Sequence, residues 1–527
     1  MNKKSLFLIT LSALSIISCG NNLTVDDDLN NISIKNDNYR NYYEIFVTSF
    51  ADSNGDGIGD LKGITDKLDY ISNLGYTGIW LTPIFKSPSY HKYNTSDYFT
   101  IDEDFGTTDD LKELVTKAHE KNIKVILDIA LNHSSKSNKL FSLACGAYGK
   151  YLRNEVLTDS EKEYMTYYSF VKNKEDAKSG RYQFTSNGGS DFYYECNFDD
   201  DMPEFNCDSP YVIEYFKSIL EYYLDLGVDG YRLDAVKYYY LNNTSKNVEF
   251  LNKINSIVKN KKSDAYIVGE CFDNGGIISQ YAESEIDSLF YFPASQANGF
   301  INNVFNLQGA LYDDYLDGIY ELINDSKNQI PAPFLSNHDV TRINYSSDIV
   351  WDKFMYGLLS MLNGTTFTYY GDEIGMVGNV PPDQNVRIPM NWGEDSSYTC
   401  DILSGTTATE YPFPSVEEQL DDETSLLNYY KKANNIRNKH LEIARGEVKT
   451  LLDDSENYVI VINKEYDDSN LGIAINFNQK NSYELNLNNY NYSECVNYLT
   501  SNNETLSYTN DSKNSISIPP YGIAILK

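Results

Sequence analysis

Residues 228–237 read VDGYRLDAVK, an apolar run that changes abruptly into charged side chains. The stretch Val228–Leu233 is typical of a buried strand, and Asp234 follows it directly. Similar apolar runs recur along the chain, separated by amphipathic stretches of helical length such as Thr108–Asn122 and Pro210–Leu226. The predicted strands are Glu44–Thr48, Gly78–Thr82, Lys124–Asp128, Val228–Leu233, Ala265–Gly269, Ser288–Tyr291, Ala332–Ser336 and Thr366–Tyr370. This alternation predicts an α/β fold, a parallel (β/α)8 TIM barrel.

Two parts of the chain break the alternation and predict separate units. Residues 134–208 are rich in Tyr, Asn, Ser, Gly and Asp, which predicts an insertion, domain B, after strand 3. From 443 to 527, short strand-like runs replace the helical patterns, which predicts a C-terminal antiparallel β-sandwich, domain C. The catalytic barrel, domain A, is then assigned residues 39–133 and 209–442.

The first residues predict export and a lipid anchor. Two lysines precede the apolar run Leu6–Ile17, which is too short to span a bilayer. The run ends in Ile-Ile-Ser-Cys, which resembles the lipobox of bacterial lipoproteins and makes Cys19 the predicted lipidation site. An ordinary signal peptide cut just before it is the alternative. Residues 1–18 are then a signal peptide and the polar residues 19–38 a flexible tether. We expect an exported protein that is held at the bacterial cell envelope or surface by its lipid alone.

Composition and charge exclude several classes of protein. The 527 residues are 41% hydrophobic, which excludes a wholly disordered chain and a small disulfide-stapled scaffold. With 43 Lys and Arg against 76 Asp and Glu, the net charge is −33, and such a surface repels nucleic acid and anionic lipid. A neutral or cationic ligand, or a divalent metal, suits it, and we expect a monomer. Six cysteines besides Cys19 are too few to define the fold, and pairing of Cys196 with Cys207 stays open.

Charged side chains lie in or directly after four of the predicted strands. The set is His133, Arg232, Asp234, Glu270, His338 and Asp339. Active sites of (β/α)8 barrels lie at the carboxyl ends of the strands, so these side chains are expected to meet at one mouth. Arg232 lies two residues before Asp234, on the same side of its strand, and its fixed charge is expected to keep that carboxylate ionised. A single carboxylate here is usually a helix cap or a solvated residue, but burying the whole set without a function is costly.

These blocks resemble the four signature regions of the α-amylase family, glycoside hydrolase family thirteen. Further runs that resemble the family's motifs are Gly78–Pro83, Met202–Asn206 and Tyr370–Gly375. The resemblance covers residues 42–392 and implies a retaining glycosidase built on a barrel with domains B and C.

The resemblance also implies a role for each side chain at the mouth. Asp234 would be the nucleophile that forms a covalent glycosyl-enzyme. Glu270 would be the acid/base, with its carboxyl roughly 5–5.5 Å from that of the nucleophile. Asp339 would hold sugar hydroxyls and favour the distorted ring, and His133 and His338 would bind hydroxyls of the same sugar.

One loop and one lysine are predicted to bind the substrate. Sugars offer flat apolar faces and directional hydroxyls, so an aromatic platform with polar tips is needed. The segment Tyr90–Tyr98 resembles the family's loop after strand 2, in which Tyr93 would stack on the sugar and His91 would lie beside it. Lys92 stands where the family usually has glycine. Lys237 resembles α-amylases that cut α-1,4 bonds, although a tyrosine replaces the histidine that follows it there.

A loop after the first strand predicts a structural calcium site. Residues 52–60 read DSNGDGIGD and place oxygen ligands at every second position. The predicted ligands are Asp52, Asn54, Asp56, the carbonyl of Ile58, and Asp60. Alone, such a run is equally typical of an Asx-rich turn, but the resemblance implies Ca²⁺, because the family binds calcium in this loop.

Together, these features predict a cell-surface, endo-acting enzyme that cleaves the α-1,4-glucosidic bonds of starch-like α-glucans. The run Val386–Trp392 is common among oligosaccharide-acting relatives and keeps open an α-glucosidase, neopullulanase or glucanotransferase. A non-catalytic surface glycan-binding protein is disfavoured, because the three carboxylates are intact. A purely structural lipoprotein would leave those carboxylates unexplained.

Overall fold

The computed structural model covers most of the chain. It describes residues 25, 27–30, 32–177, 180–295, 298–306, 311–344, 348–394, 396–407, 412–509 and 514–527. The predicted signal peptide and Cys19 lie outside the described residues. Within these ranges, no helix is both long and apolar enough to cross a bilayer.

Strands and helices alternate up to residue 445, and strands predominate after it. The strands are β1 (Asn41–Ile45), β2 (Gly78–Leu81), β3 (Phe85–Lys86), β4 (Asp97–Ile101), β5 (Lys124–Ile129), β6 (Phe170–Val171), β7 (Tyr182–Asn187), β8 (Ser190–Glu195), β9 (Gly230–Leu233), β10 (Tyr266–Gly269), β11 (Ser288–Leu289), β12 (Thr366–Tyr369), β13 (Glu447–Asp454), β14 (Val459–Tyr466), β15 (Ser469–Asn476), β16 (Tyr483–Asn486), β17 (Cys495–Thr500), β18 (Ser507–Tyr508), β19 (Ser515–Ile518) and β20 (Gly522–Leu526). The helices are α1 (Leu61–Asp66), α2 (Leu68–Asn73), α3 (Thr108–Glu120), α4 (Lys139–Leu152), α5 (Asp159–Tyr164), α6 (Pro210–Asp225), α7 (Thr244–Lys261), α8 (Gly275–Tyr281), α9 (Phe300–Asn306), α10 (Leu311–Ser326), α11 (Ile349–Ser360), α12 (Val416–Leu420), α13 (Leu426–Lys439) and α14 (Leu441–Arg445).

The central sheet is parallel and runs in the order β11, β10, β9, β5, β2, β1, β12. This confirms the predicted barrel sheet, with one correction: residues 332–336, predicted as a strand, form only single parallel bridges. Ala332 bridges Phe290 at one edge of the sheet, and Phe334 bridges Phe367 at the other. Pro331 and Pro333 lack an N–H, so this segment cannot form a regular ladder although it closes the sheet.

Large side chains fill the inside of the barrel. The ring of Tyr42 stacks on Tyr266, with centroids 5.5 Å apart, and on Phe367 at 5.1 Å. Trp80 and Phe290 belong to the same buried cluster. The interior is therefore a packed core, and substrate access is confined to the carboxyl ends of the strands.

Residues 134–208 contain α4, α5 and a three-stranded antiparallel sheet in the order β6, β8, β7. Phe141 of α4 packs edge-on against Tyr194 and Tyr168, with ring centroids 5.0 and 5.1 Å apart. A single bridge between His133 and Glu204 ties the end of the segment to the strand end that precedes it. This attachment brings residues 198–202 over the mouth of the barrel.

Residues 447–526 form two antiparallel sheets, in the orders β13, β14, β15, β20, β17 and β16, β19, β18. Val461 and Ala474 of the larger sheet share one buried cluster with Leu485 and Ile516 of the smaller sheet. The two sheets therefore face each other, as in a sandwich.

Two described residues in the segment predicted as a flexible tether make ion pairs with the rest of the protein. Asp27 pairs with Lys432 of α13. Asp37 pairs with Arg445, whose Nη2 lies 2.7 Å from Asp37 Oδ1. These contacts join Asp27 and Asp37 to α13 and α14.

Candidate active site

A cavity of about 390 Å³ opens at the carboxyl ends of the barrel strands. It is lined by His91, Tyr93, His133, Phe198, Asp199, Met202, Asp234, Ala235, Lys237, Tyr238, Glu270, Phe272, Asp339, Asp383 and Arg387. The three predicted carboxylates therefore reach one space, together with four of the predicted substrate-binding side chains. Arg232 and His338 lie in the layer directly beneath, where both are fully buried.

Arg232 joins the two strands that carry Asp234 and Glu270. Its Nη1 lies 2.6 Å from Asp234 Oδ1 and 2.9 Å from Asp128 Oδ1, and its Nη2 lies 3.0 Å from Glu270 Oε2. Alternation along β9 places Arg232 and Asp234 on one side of the strand, as predicted. One rigid guanidinium thus fixes the relative positions of the two carboxylates at the cavity.

Glu270 is placed to exchange a proton. Its Oε2 accepts the backbone N–H of Ala235 at 2.8 Å. Burial raises the pKa of Glu270 to about 7; the positive charge of Arg232 opposes this shift, and the nearby Asp234 and Asp339 add to it. Near neutral pH, Glu270 therefore exists in both its protonated and ionised forms.

His338 links Asp339 to a carboxylate that the sequence analysis did not consider. His338 Nδ1 lies 2.6 Å from Glu44 Oε1, and Nε2 lies 3.0 Å from Asp339 Oδ2. Burial opposes protonation of His338, but Asp339 and Glu44 together raise its pKa to about 10. Burial would raise the pKa of Asp339, yet His338 and Arg387 hold it below its usual value. Asp339 is thus an ionised acceptor, and Arg387 Nη2 donates to its Oδ1 at 2.8 Å.

The Tyr93 ring lies nearly parallel to that of His338, with ring centroids 5.5 Å apart and planes 12° from parallel. Its hydroxyl donates to Asp128 Oδ2 at 2.8 Å and lies 2.6 Å from His338 Nε2. Trp80 Nε1 donates to the same Asp128 oxygen at 3.2 Å. The Tyr93 ring is therefore fixed as an aromatic wall of the cavity.

His91 and His133 are neutral donors or acceptors at the same cavity. Burial lowers the pKa of His91 to about 4 and also lowers that of His133. His91 Nδ1 accepts the N–H of Tyr93 at 3.1 Å, so its proton is on Nε2. Both ring nitrogens of His133 are buried, and within the described residues the backbone of Tyr93 is the group that interacts with the ring.

Lys237 lies at the rim of the cavity and is held by the strand that carries Glu270. Its Nζ donates to the carbonyl of Phe272 at 2.6 Å and to Asp273 Oδ2 at 2.9 Å. Phe272 is 49% exposed and stacks on Phe292, with centroids 4.3 Å apart. Across the cavity, Phe198 is also partly exposed. Two aromatic faces thus flank the rim.

The loop that carries His91 and Tyr93 accommodates a lysine in a conformation that favours glycine. Lys92 has φ +61°, in the left-handed region. Its ammonium lies 2.8 Å from Asp104 Oδ2 and 3.0 Å from Asp102 Oδ1. These ion pairs explain how the loop keeps its shape without the glycine that the family usually has here.

The predicted calcium loop is organised by its own side-chain oxygens. Asp52 Oδ2 accepts the N–H of Gly57 at 2.8 Å, and Asn54 Oδ1 accepts that of Asp56 at 2.9 Å. All the side-chain donors are oxygens, the ligand type that Ca²⁺ prefers, so the set fits this ion chemically. In the described part of the chain, no group of three or more His, Cys, Asp or Glu side chains could hold a metal by itself. A cation here would also need the Asn54 amide and a backbone carbonyl.

The last two predicted ligands are placed differently from each other. Asp60 is buried and caps α1, because its side chain accepts the N–H of Gly63 at 2.7 Å. Ile58 is half-buried, and its N–H donates to Asp56 Oδ1 at 2.9 Å. The helix cap gives Asp60 a structural role that needs no metal.

All six cysteines among the described residues are buried and free. Cys196 and Cys207, whose pairing the sequence left open, are both among them.

Several residues at the site were not predicted from the sequence. They are Glu44, Asp128, Asp199, Met202, Phe198, Phe272, Asp383 and Arg387. Asp128 stands at the end of a predicted strand, and Arg387 lies in the run Val386–Trp392. Both positions could have indicated that these residues belong to the site. Their partners, Arg232 and Asp339, are far away in the sequence, and only the folded chain pairs them.

Comparisons with known proteins find relatives that match most of the chain. A family model described as the α-amylase catalytic domain matches residues 44–446. Alpha-amylase 3 of Dictyoglomus thermophilum is 34% identical over 501 residues, which cover 93% of each chain. Oligo-1,6-glucosidase of Parageobacillus thermoglucosidasius is 26% identical over 523 residues, covering 83% of this chain and 90% of that protein.

The fold has a close match among solved structures. Eubacterium rectale Amy13B superimposes with a TM-score of 0.86 at 35% identity, covering 94% of this chain and 97% of that one. The sequence match and the structural match both extend over more than nine tenths of the chain. The chain therefore belongs to the α-amylase family, and it is a glycosidase.

Proposed function

We propose that this protein is a retaining glycoside hydrolase that cleaves α-1,4-glucosidic bonds of starch-like α-glucans through a covalent glycosyl-enzyme. One observation carries the proposal: Asp234, Glu270 and Asp339 line a single cavity, and one guanidinium holds the first two. Retention requires two carboxyls about 5–5.5 Å apart. Asp234 and Glu270 each contact a terminal nitrogen of Arg232, which places both carboxylates beside one guanidinium.

In the first step, an Asp234 oxygen forms a bond to the anomeric carbon as the bond to the leaving sugar oxygen breaks. Glu270 gives its proton to that oxygen, and its pKa of about 7 supports this role because the acid form is populated near neutral pH. In the second step, Glu270 takes a proton from water, the water oxygen bonds to the anomeric carbon, and Asp234 is released. Glu270 thus regains in the second step the proton that it donates in the first.

The remaining side chains bind the sugar in which the bond is cut. Asp339, held ionised by His338 and Arg387, accepts hydrogen bonds from sugar hydroxyls. Tyr93 offers a fixed ring face, and His133 lines the same cavity. These contacts strengthen as the ring distorts towards the transition state.

A second candidate is an oligosaccharide-acting α-glucosidase, neopullulanase or glucanotransferase with the same chemistry. Arg387 favours it, because this residue of the Val386–Trp392 run lines the cavity and joins Asp339 to Asp383, 3.3 Å away. The similarity to an oligo-1,6-glucosidase supports the same reading. A transferase differs only in that a sugar hydroxyl replaces water in the second step.

Product analysis on amylose, pullulan and maltotriose separates these candidates. The α-1,4 hydrolase releases large early fragments from amylose, whereas glucose alone favours the exo-acting candidate and longer products from maltotriose favour transfer. Asp234→Asn and Glu270→Gln serve as controls, with folding checked by circular dichroism. Full activity of either variant contradicts the assigned roles.

We also propose a structural Ca²⁺ in the loop of residues 52–60, supported by its oxygen donors. A chelator is then expected to lower the melting temperature, and added Ca²⁺ to restore it. An unchanged melt, with no calcium found by elemental analysis, contradicts this site.

For the N-terminus we propose lipidation at Cys19 and retention at the cell envelope. Cys19→Ser is expected to release the enzyme from the membrane fraction of expressing cells. Equal membrane retention of this variant contradicts the anchor. We expect a monomer, which light scattering measures.

A further inference from the structure

A second cavity, of about 850 Å³, is larger than the catalytic one. It lies between residues 148–208 of the inserted segment and residues 238–246, which follow β9. Tyrosine rings dominate its wall, among them Tyr148, Tyr151, Tyr182 and Tyr240. A cavity of this volume is in the range that proteins use for ligands.

The tyrosines present both ring faces and polar groups to this space. Tyr151 is 54% exposed, and Tyr148 beside it is fixed by stacking on Phe170, with centroids 5.0 Å apart. The hydroxyl of Tyr239, a buried residue of the same wall, has no hydrogen-bond partner in the structure. Buried hydroxyls are normally paired, so this one suits an ordered water molecule.

The charges of the wall exclude an anionic ligand. Asp176, Glu195 and Asp208 line it, and Lys246 is the cation among its described residues. Lys246 Nζ lies 3.3 Å from Asp208 Oδ1 and 4.5 Å from the centre of the Tyr240 ring. Its charge is therefore already neutralised, and the wall suits a neutral molecule rich in hydroxyl groups.

The two cavities are neighbours, because Tyr238 lines both of them. On the catalytic side, its ring lies 4.6 Å from that of Phe198, centroid to centroid. Tyr238 also directly follows Lys237 at the rim of the active site. Tyr238 therefore lies between the two cavities, next to the rim of the active site.

We propose that the second cavity binds a further segment of the α-glucan chain, away from the bond that is cut. This inference rests on the proposed function, since it assigns the same substrate to a second site. The enzyme should then favour long α-glucans over short ones, because a long glucan occupies both cavities and maltotriose occupies the catalytic cavity alone.

The test compares the double variant Tyr151→Ala/Tyr182→Ala with Tyr211→Ala. Tyr211 is an exposed tyrosine of α6 that lines neither cavity, so its variant is a matched control. In the Glu270→Gln background, affinity electrophoresis through amylose gels measures binding. We expect the double variant to bind amylose about tenfold more weakly, the order of two lost aromatic contacts, and the control to match its parent. With Glu270 intact, kcat/KM on amylose is expected to fall while that on maltotriose stays unchanged.

Unchanged amylose binding by the double variant, with normal cleavage of maltotriose, overturns the second site and leaves the proposed function intact. Absence of any α-glucan cleavage by the wild-type protein overturns both. If the double variant fails to fold, nitration of Tyr151 in the Glu270→Gln protein is measured by peptide mass spectrometry. Amylose is expected to protect Tyr151 and not Tyr211, and equal protection or none contradicts the inference.

Discussion

Replacing Lys92 by glycine sets two opposite effects against each other in the loop that carries Tyr93. The substitution removes a left-handed lysine, a conformation that costs a residue with a side chain roughly 1–2 kcal/mol. It also removes the ammonium that lies 3.0 Å from Asp102, in a pair whose side chains are 6% and 5% exposed. Removing one partner of a buried pair costs about 3–5 kcal/mol.

The loss outweighs the gain, so Lys92→Gly is expected to destabilise the protein by about 1–4 kcal/mol. Asp102→Asn in the glycine variant removes the unpaired charge and is expected to recover part of this loss. The assay is the melting temperature of the parent, of Lys92→Gly and of the double variant, with kcat/KM on maltotriose as the functional readout. A glycine variant that melts at or above the parent refutes the reasoning, because strain would then exceed the pairing energy.

Three further predictions concern the groups around the reacting carboxylates. Since the pKa of Glu270 is raised to about 7 and its acid form is needed first, kcat/KM is expected to fall as pH rises through about 7. A profile that stays flat from about one pH unit below this pKa to about two units above it contradicts the assigned role. Glu44→Gln removes the charge that helps to raise the pKa of His338, and it weakens a charge-assisted hydrogen bond worth about 1.5–3 kcal/mol. We therefore expect kcat/KM on maltotriose to fall about 10-fold to 100-fold. A loss under about twofold argues against a positioning role for Glu44. Arg232→Lys replaces the fork that holds two carboxylates by one point charge, and we expect a loss of at least about 100-fold in kcat/KM. Circular dichroism checks its fold, and turnover close to that of the parent excludes the shared guanidinium as the organising group.

The sequence predicted the carboxylates of the site better than it predicted their partners. Asp234, Glu270 and Asp339 follow apolar runs, and the geometry of parallel strands sends such residues to one end of the sheet. Asp128 pairs with Arg232 because the two are opposite each other in the register of β5 and β9, which no single strand reveals. Pro331 and Pro333 already indicated that residues 332–336 could not form a regular strand. The apolar pattern alone predicted a strand there.

The two cavities could not be predicted from local sequence patterns, because they form between segments that are far apart in the sequence. Phe198 reaches the catalytic mouth only because the insertion is tied back at Glu204. The tyrosines of the second cavity are up to about 90 residues apart in sequence, and their abundance in the composition carried no information about their position. Packing between the insertion and the barrel brings them together.

The proposed mechanism depends most directly on Asp234 as the nucleophile. The Glu270→Gln protein can be treated with α-maltosyl fluoride, whose leaving group needs no acid, so that a glycosyl-enzyme forms and its hydrolysis is slowed. Peptide mass spectrometry then locates the added maltosyl group. We expect the adduct on the peptide that contains Asp234, and no adduct in the Asp234→Asn/Glu270→Gln protein. An adduct on another carboxylate, or inverted product with no adduct at all, contradicts it.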